Sequence, residues 1–453
     1  MTKLTCALAL ALLVPSLASA NELTRIYQLA VDNDTQLRAA AGTRDAAIAA
    51  NPRARGALLP QITGSGSYAE GESTTNINKA GDVDSDDETT NLQLTLRQAL
   101  FDAAAWNRWQ SAGRQAAAAQ ATYVIAEQNL ALRVTEAYFN LLAAADSVRF
   151  ADAEKKAVER QLELAKKRFE VGLSAITDVQ EAQARYDLTV AQMIEAEQVL
   201  SNAQVAVSEI TGTSDARIVP LKDEIPLLGP DPDSVNDWLK TAADNNLNIR
   251  VAQANADAAR QDVDAAWAGH YPTVALTGLY RQFDDEGVSV LGGVTTTERD
   301  STSFGVEVTV PIFAGGSTQA AVSAARGARD QRVAELEGRK RETERSTKNA
   351  YQGVIAGVSR VKALAQAVVS NTTALEASEV GLEVGARTAV DVLNAQRELY
   401  RAQRDYARSR YDYLLNILRL KQAAGQLAAK DLNEIDSLLG AEQGPAVAGR
   451  AAN

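Results

Sequence analysis

The sequence is poor in the residues from which most active sites are built. It has a single cysteine, Cys6, and a single histidine, His270. One cysteine cannot form an internal disulfide or a thiolate metal cluster. His270 precedes Tyr271-Pro272, where a helix is predicted to end, so it reads as a helix C-terminal partner rather than a metal ligand or base. No Ser/His/Asp set, Gly-rich phosphate loop or metal-ligand spacing accompanies it, so no catalysis and no cofactor are expected. Basic charge is also short: 58 acidic residues face 46 basic ones, a formal net charge of -12. With no aromatic-plus-basic patch to offset that balance, nucleic acid is excluded as a partner. Aromatics make up only 5% of the chain and prolines number ten. Beyond the N-terminus no run approaches the roughly 18 apolar residues of a spanning helix. A membrane crossing would therefore have to be a closed β-barrel, the other fold that satisfies every backbone group in lipid.

The N-terminus reads as a secretory signal over residues 1–20. Lys3 supplies the charge, Cys6 to Val14 the apolar run, and Ala18-Ser19-Ala20 the small-residue cleavage site. Cleavage there would make Asn21 the first residue, remove the only cysteine, and so exclude a lipidated N-terminal cysteine. An exported protein without disulfides must be stabilised by packing and assembly.

What the chain has is alanine and an internal duplication. Leu37 to Tyr68 aligns without a gap on Ile249 to Tyr280. Arg38, Asp45, Pro60, Gly66 and Tyr68 meet Arg250, Asp257, Pro272, Gly278 and Tyr280, and Phe101 meets Phe313 at the same offset. After one residue is gained, Tyr138 meets Tyr351 and Gly212 meets Gly425. Val171 to Gln183, VGLSAITDVQEAQ, echoes Val384 to Gln396, VGARTAVDVLNAQ. In each copy a glycine suited to ending a helix is followed by an N-cap residue type, Ser174 or Thr388, which predicts the tip of a helical hairpin. The expected organisation is a first repeat over 21–212, a linker over 213–232, a second repeat over 233–425, and a C-terminal segment over 426–453 whose Ala/Gly-rich end, from about Gly440, is predicted to be disordered.

Each repeat has the same predicted plan. A short helix (Leu23 to Val31; Val235 to Ala243) precedes one of about two dozen residues ending near Pro60 or Pro272, where the lost donor suits a change to strand. Strand candidates follow at Gln61 to Tyr68 and Asn91 to Gln98, around an acidic loop that includes Asp82 to Glu88, and at Thr273 to Arg281 and Ser303 to Val310. Leu92, Leu94 and Leu96 alternate with Gln93, Thr95 and Arg97, so one face meets apolar surroundings and the other water. Four strands cannot close a barrel, so several chains must pool them. Helices from about Ala103 to Glu170 and Ser317 to Glu383 carry heptad-like apolar stripes and would each run roughly 100 Å. Their partners, Ala175 to Thr211 and Ala389 to Ala424, are about half as long, so two short helices stacked end to end match one long helix. Trp106, Trp109, Tyr68, Tyr280, Phe101 and Phe313 lie near the strand ends, suited either to a membrane–water boundary or to packing at the strand-to-helix joint. A soluble periplasmic coiled-coil adaptor or scaffold is the alternative reading, but it leaves the alternating strands without a purpose; a secreted enzyme lacks its catalytic set.

The motifs AITDVQ (Ala175 to Gln180), VGARTAVDVLNAQ, PIFAGG (Pro311 to Gly316) and ARSRYDYLLN (Ala407 to Asn416) resemble those of the TolC family of outer-membrane channel proteins, in its non-lipidated branch. The resemblance implies a mixed, mostly α fold: a homotrimer with a twelve-stranded barrel in outer-membrane lipid, continued by a twelve-helix periplasmic α-barrel. It implies an exit duct for efflux pumps or type I protein secretion. A periplasmic adaptor and an inner-membrane transporter of the RND, ABC or MFS type would dock on it. By the same resemblance Asp391 lines the entrance, where three carboxylates around one axis favour cations and could hold a blocking divalent ion. The family's second aspartate is replaced by Asn394. Arg387 would tie to Thr177 and Asp178 of the neighbouring subunit and hold the entrance shut, while Leu382 stands where the family has a tyrosine latch. Val171, Gly172, Leu173, Val384, Gly385 and Ala386 would form the adaptor-docking tips. Read without the resemblance, Asp391 favours a helix N-terminus, Arg387 is a surface charge and the glycines are helix caps.

Overall fold

A computed structural model describes residues 22–76, 82–288 and 294–440. The expected signal over 1–20 and the C-terminal end beyond Gly440 lie outside the described residues, as do parts of both strand-connecting loops. The chain divides into two compact units, each drawing on both halves of the sequence.

One unit, Ala40–Val124 with Leu247–Arg341, contains the sheet. Strands β1 (Gln61–Asn76), β2 (Asp82–Phe101), β3 (Thr273–Val288) and β4 (Val294–Thr309) pair antiparallel in chain order. All but β4 run well past the predicted segments, and β4 begins nine residues early. The acidic stretch Asp82 to Glu88, expected as loop, is strand paired with Glu70 to Asn76. Side-chain alternation reports only where one face is apolar. The main-chain ladder continues beyond that zone, because its N–H and C=O groups pair whatever side chains they carry.

The register gives the sheet two unlike faces. Ile62 pairs with Leu96, Leu96 with Gly278 and Gly278 with Phe304, while Leu94 pairs with Gly64 and Tyr280. Directly opposed residues share a face, so Ile62, Leu92, Leu94, Leu276, Phe304, Val306 and Val308 line one side. Thr63, Gln93, Thr95, Arg97, Arg281 and Glu307 line the other. Most of the apolar side is open, with Ile62 72% and Phe304 74% exposed. Gly278 gives the Phe304 ring its place there, since a Cβ would stand 2.9 Å from that ring and force it to shift. At the joint with the helices, Trp109 Nε1 donates to Asn51 Oδ1 at 3.0 Å and Trp106 meets Trp109 edge-on. Phe313, Tyr68 and Tyr280 are exposed. His270 closes a one-turn 3₁₀ segment and lies edge-on to Trp267.

The helices follow the predicted plan: α1 (Glu22–Asn33), α2 (Thr35–Gly56), α3 (Ala103–Glu170), α4 (Ile176–Thr211), α5 (Val235–Asn245), α6 (Leu247–Trp267), α7 (Ser317–Glu383) and α8 (Ala389–Ala423). A ninth, α9 (Ala429–Asp436), was not expected. One 18-residue window of α7 is apolar enough on average to count as a spanning candidate, although it is not an uninterrupted apolar run. The valines Val354, Val358, Val361, Val368 and Val369, with Ile355 and Leu364, produce that average in a stretch that also carries Arg360 and Lys362, and the 67-residue helix is far longer than a bilayer is thick.

The second unit combines the described parts of Met1–Ala39 and Glu342–Asn453 with Ile125–Asn246. Asp34 separates α1 from α2: it is buried, its carboxylate accepts from Leu37 N at 2.7 Å, and Arg133 binds it at 2.9 Å. The end of α4 arrives at this break. Gly212 (φ 72) faces Asn33, just as Gly425 (φ 72), beyond α8, faces the α5–α6 break at Asn245. Asp436 of α9 caps the start of α1, accepting from Leu23 N and Thr24 N at 2.8 Å each and from the Thr24 hydroxyl. Burial raises its pKa. Tyr138 and Tyr351, equivalent in the two repeats, both fix the connecting segment, Tyr138 at Val219 and Tyr351 at Asp233.

Candidate functional site

Both predicted hairpin tips lie in this second unit, and both are built the same way. In the first, Leu173 N donates to Arg168 O at 2.8 Å and Gly172 N to Phe169 O at 2.9 Å. In the second, Ala386 N donates to Gly381 O at 2.8 Å and Gly385 N to Leu382 O at 3.3 Å. These paired bonds form the Schellman arrangement, and it needs the left-handed backbone that Gly172 (φ 75) and Gly385 (φ 77) adopt. Nothing lies within 4 Å of a Cβ at either glycine, so backbone conformation alone demands them. Val171, Leu173, Val384 and Ala386 are exposed around them.

The helices that leave the tips start differently. Thr388 caps α8 in a reciprocal box: its hydroxyl accepts from Asp391 N at 3.2 Å, and Asp391 Oδ2 accepts from Thr388 N at 2.9 Å. The bonds from Thr388 hold the Asp391 carboxyl below its ordinary pKa, with Arg387 adding to the effect. Asp391 is thus both a helix cap and an ionised group at the tip. In the first tip Ala175 is the N-cap and makes no side-chain cap. Ser174, expected in that role, instead reaches back to Ala165 O at 3.5 Å.

Arg387 stands 4.0 Å from Asp391 Oδ1. Its backbone N donates to Gly381 O at 3.0 Å, and a Cβ on Gly381 would fall 2.6 Å from Arg387 Cγ. Gly381 therefore makes the room in which Arg387 lies, a role that sequence reading missed because nothing local marks it. Among the described residues, no hydrogen bond or ion pair joins Arg387 to Thr177 or Asp178 of the same chain. Thr177 and Asn394 are exposed, Asp178 and Leu382 partly so. Beneath the tips, Val158, Leu162 and Ala165 of α3, Val179 and Ala182 of α4, and Leu393 of α8 form one buried cluster with Tyr186 against it. Through that cluster the capped start of α8 is seated on the α3–α4 hairpin.

No group of three or more His, Cys, Asp or Glu among the described residues could hold a metal. The geometry offers a capped carboxylate at the start of α8 and, at each tip, an exposed rim of small and apolar residues. The sequence matches the profile described as Outer membrane efflux protein over residues 26–213 and 238–426. The chain belongs to that family. It is 35% identical over 418 residues to the Outer membrane protein TolC of Vibrio cholerae serotype O1, covering 92% of this chain and 94% of that one. It is 30% identical over 415 residues to the Alkaline protease secretion protein AprF of Pseudomonas aeruginosa, covering 90% and 85%. The solved outer membrane protein VceC of Vibrio cholerae superposes with a TM-score of 0.73 at 21% identity, over 89% of this chain and 96% of that one. As an outer-membrane efflux protein, this chain is an exit duct of the efflux and secretion type. It is not an enzyme; it sits in the outer membrane, with its helical tunnel in the periplasm.

Proposed function

We propose that this chain works as a homotrimer, opened at its periplasmic tips when an adaptor and an inner-membrane transporter of the RND, ABC or MFS type dock there. The observation that carries the reading is the four-stranded sheet, apolar and exposed on one face, with β1 and β4 left as unpaired edges. Open edges and a lipid-suited face require closure against further copies. The two repeats, 21–212 and 233–425, would contribute equal parts to barrel and tunnel, joined by 213–232. The name of AprF supports protein export as one task, and the efflux family supports expulsion of small toxic molecules as another.

In this reading Arg387 of one subunit reaches Thr177 and Asp178 of the next, Asp391 forms the selectivity ring, and the glycine tips receive the adaptor. Purified, detergent-extracted protein is expected to run as a heat-modifiable trimer and to conduct ions in a planar bilayer. Arg387→Ser is expected to raise its single-channel conductance. A non-conducting monomer would overturn the assembly, and conductance unchanged by Arg387→Ser would overturn the gate.

A further inference from the structure

Some 17 residues from the first tip by sequence, roughly 25 Å along α3 at helical rise, lies a charged group that the tip reading does not use. Glu154 of α3 is buried, with its side chain only 3% exposed. Arg185 of α4 binds its Oε1 at 2.8 Å and Arg404 of α8 binds its Oε2 at 3.2 Å. One carboxylate thus ties three helices together. Buried charge demands such pairing, and removing the shared anion leaves two guanidiniums facing each other.

The seam between α8 and α3 changes character at this point. On the side away from the tips it is polar and directional: Arg408 donates to Asn140 Oδ1 at 2.7 Å, Tyr411 to Asp146 Oδ2 at 2.8 Å and Gln422 to Asn129 Oδ1 at 2.8 Å. At the level of Glu154, Tyr400 also donates to Ala153 O at 3.3 Å. On the tip side of Tyr400, among the described residues, no hydrogen bond or ion pair joins α8 to α3 or α4. Contact there passes through Leu393 and the apolar cluster around it. Apolar contact is non-directional and lets surfaces slide, whereas a buried ion pair has one geometry.

We infer that Glu154, held by Arg185 and Arg404, is the fulcrum of the gate: it fixes the point beyond which α8 moves off the α3–α4 hairpin when the tips open. Glu154 is a positioning residue that touches no cargo. The inference rests on the reading that the tips are the closing end, and its test separates the two.

Single cysteines are placed at Leu393, on the tip side, and at Leu415, on the far side; the only other cysteine is Cys6, in the expected signal. Labelling by a water-soluble maleimide is then timed on the purified assembly. With Glu154→Gln or Arg404→Gln, Leu393→Cys is expected to label about tenfold faster and Leu415→Cys at an unchanged rate. Arg404→Lys, which keeps the charge, is expected to restore slow labelling. Unchanged labelling of Leu393→Cys in both variants, or acceleration at both positions alike, would overturn the fulcrum. If that happens while Arg387→Ser still raises conductance, the gate reading stands; if Arg387→Ser also has no effect, both fall.

Discussion

At the residue scale, one side chain holds two offices. Asp391 closes the capping box with Thr388 and is also the acidic group nearest the start of α8. The bonds that lower its pKa keep it ionised throughout the neutral range. In a trimer it therefore supplies three fixed negative charges, which attract divalent cations more strongly as the ring narrows and the local dielectric falls. Block of the channel by a divalent cation is expected to disappear in Asp391→Asn and to strengthen in Asn394→Asp, which restores a second ring. The sign with pH follows from the depressed pKa: the charge is present above the ordinary carboxylate value and is lost as pH falls through the lower, folded one. Block measured in bilayers should thus persist down to about pH 4 and fade only below it. Block that weakened well above that pH would mean that another group holds the ion.

At the element scale, the left-handed glycines look alike in sequence but differ in what surrounds them. At Gly172 a Cβ would meet nothing within 4 Å, whereas at Gly425 it would stand 2.4 Å from the backbone oxygen of Asn245. Gly172→Ala should therefore cost only the left-handed backbone term, about 1–2 kcal/mol, while Gly425→Ala must also push α8 off the α5–α6 junction. Thermal unfolding followed by circular dichroism is expected to fall by several degrees more for Gly425→Ala than for Gly172→Ala; equal shifts would show that the junction yields freely. The ends of the long helices were legible because their stop signals are local: a glycine after Glu170 and Glu383, and an alanine-rich run before each. The strand ends were not, because β2 continues through Asp82 to Glu88 on main-chain pairing that leaves no apolar alternation. Helix α9 was missed for a related reason: it is a short segment, and what holds it is a cap given to α1, with Asp436 accepting from Leu23 and Thr24, more than 400 residues away in sequence.

At the scale of the whole molecule, the proposed docking surface is two rims, Val171-Gly172-Leu173 and Val384-Gly385-Ala386. Leu173 is 78% and Val384 73% exposed. Apolar side chains presented on rigid Schellman turns suit a tip-to-tip contact that excludes bulk. Leu173→Cys and Ala386→Cys are expected to crosslink to an adaptor carrying a cysteine at its own tip when the two are co-expressed, whereas a cysteine replacing exposed Val205, about eight turns along α4 from its tip end, should not. Failure at both rims would place the docking surface elsewhere.

The sequence by itself determined the local features: where the long helices run, where the glycines end them, which strands have one apolar face, and that the plan occurs twice. Each depends on periodicity or on a residue's own backbone preference, which neighbours along the chain suffice to express. Only the tertiary structure decided which helices α8 would lie against, that Glu154 would meet Arg185 and Arg404, that Gly381 would make room for Arg387, and which glycines touch a neighbour. Those facts depend on how the backbone folds back on itself, over six residues between Gly381 and Arg387 and over 250 between Glu154 and Arg404, bringing together shapes and charges that no periodic pattern encodes.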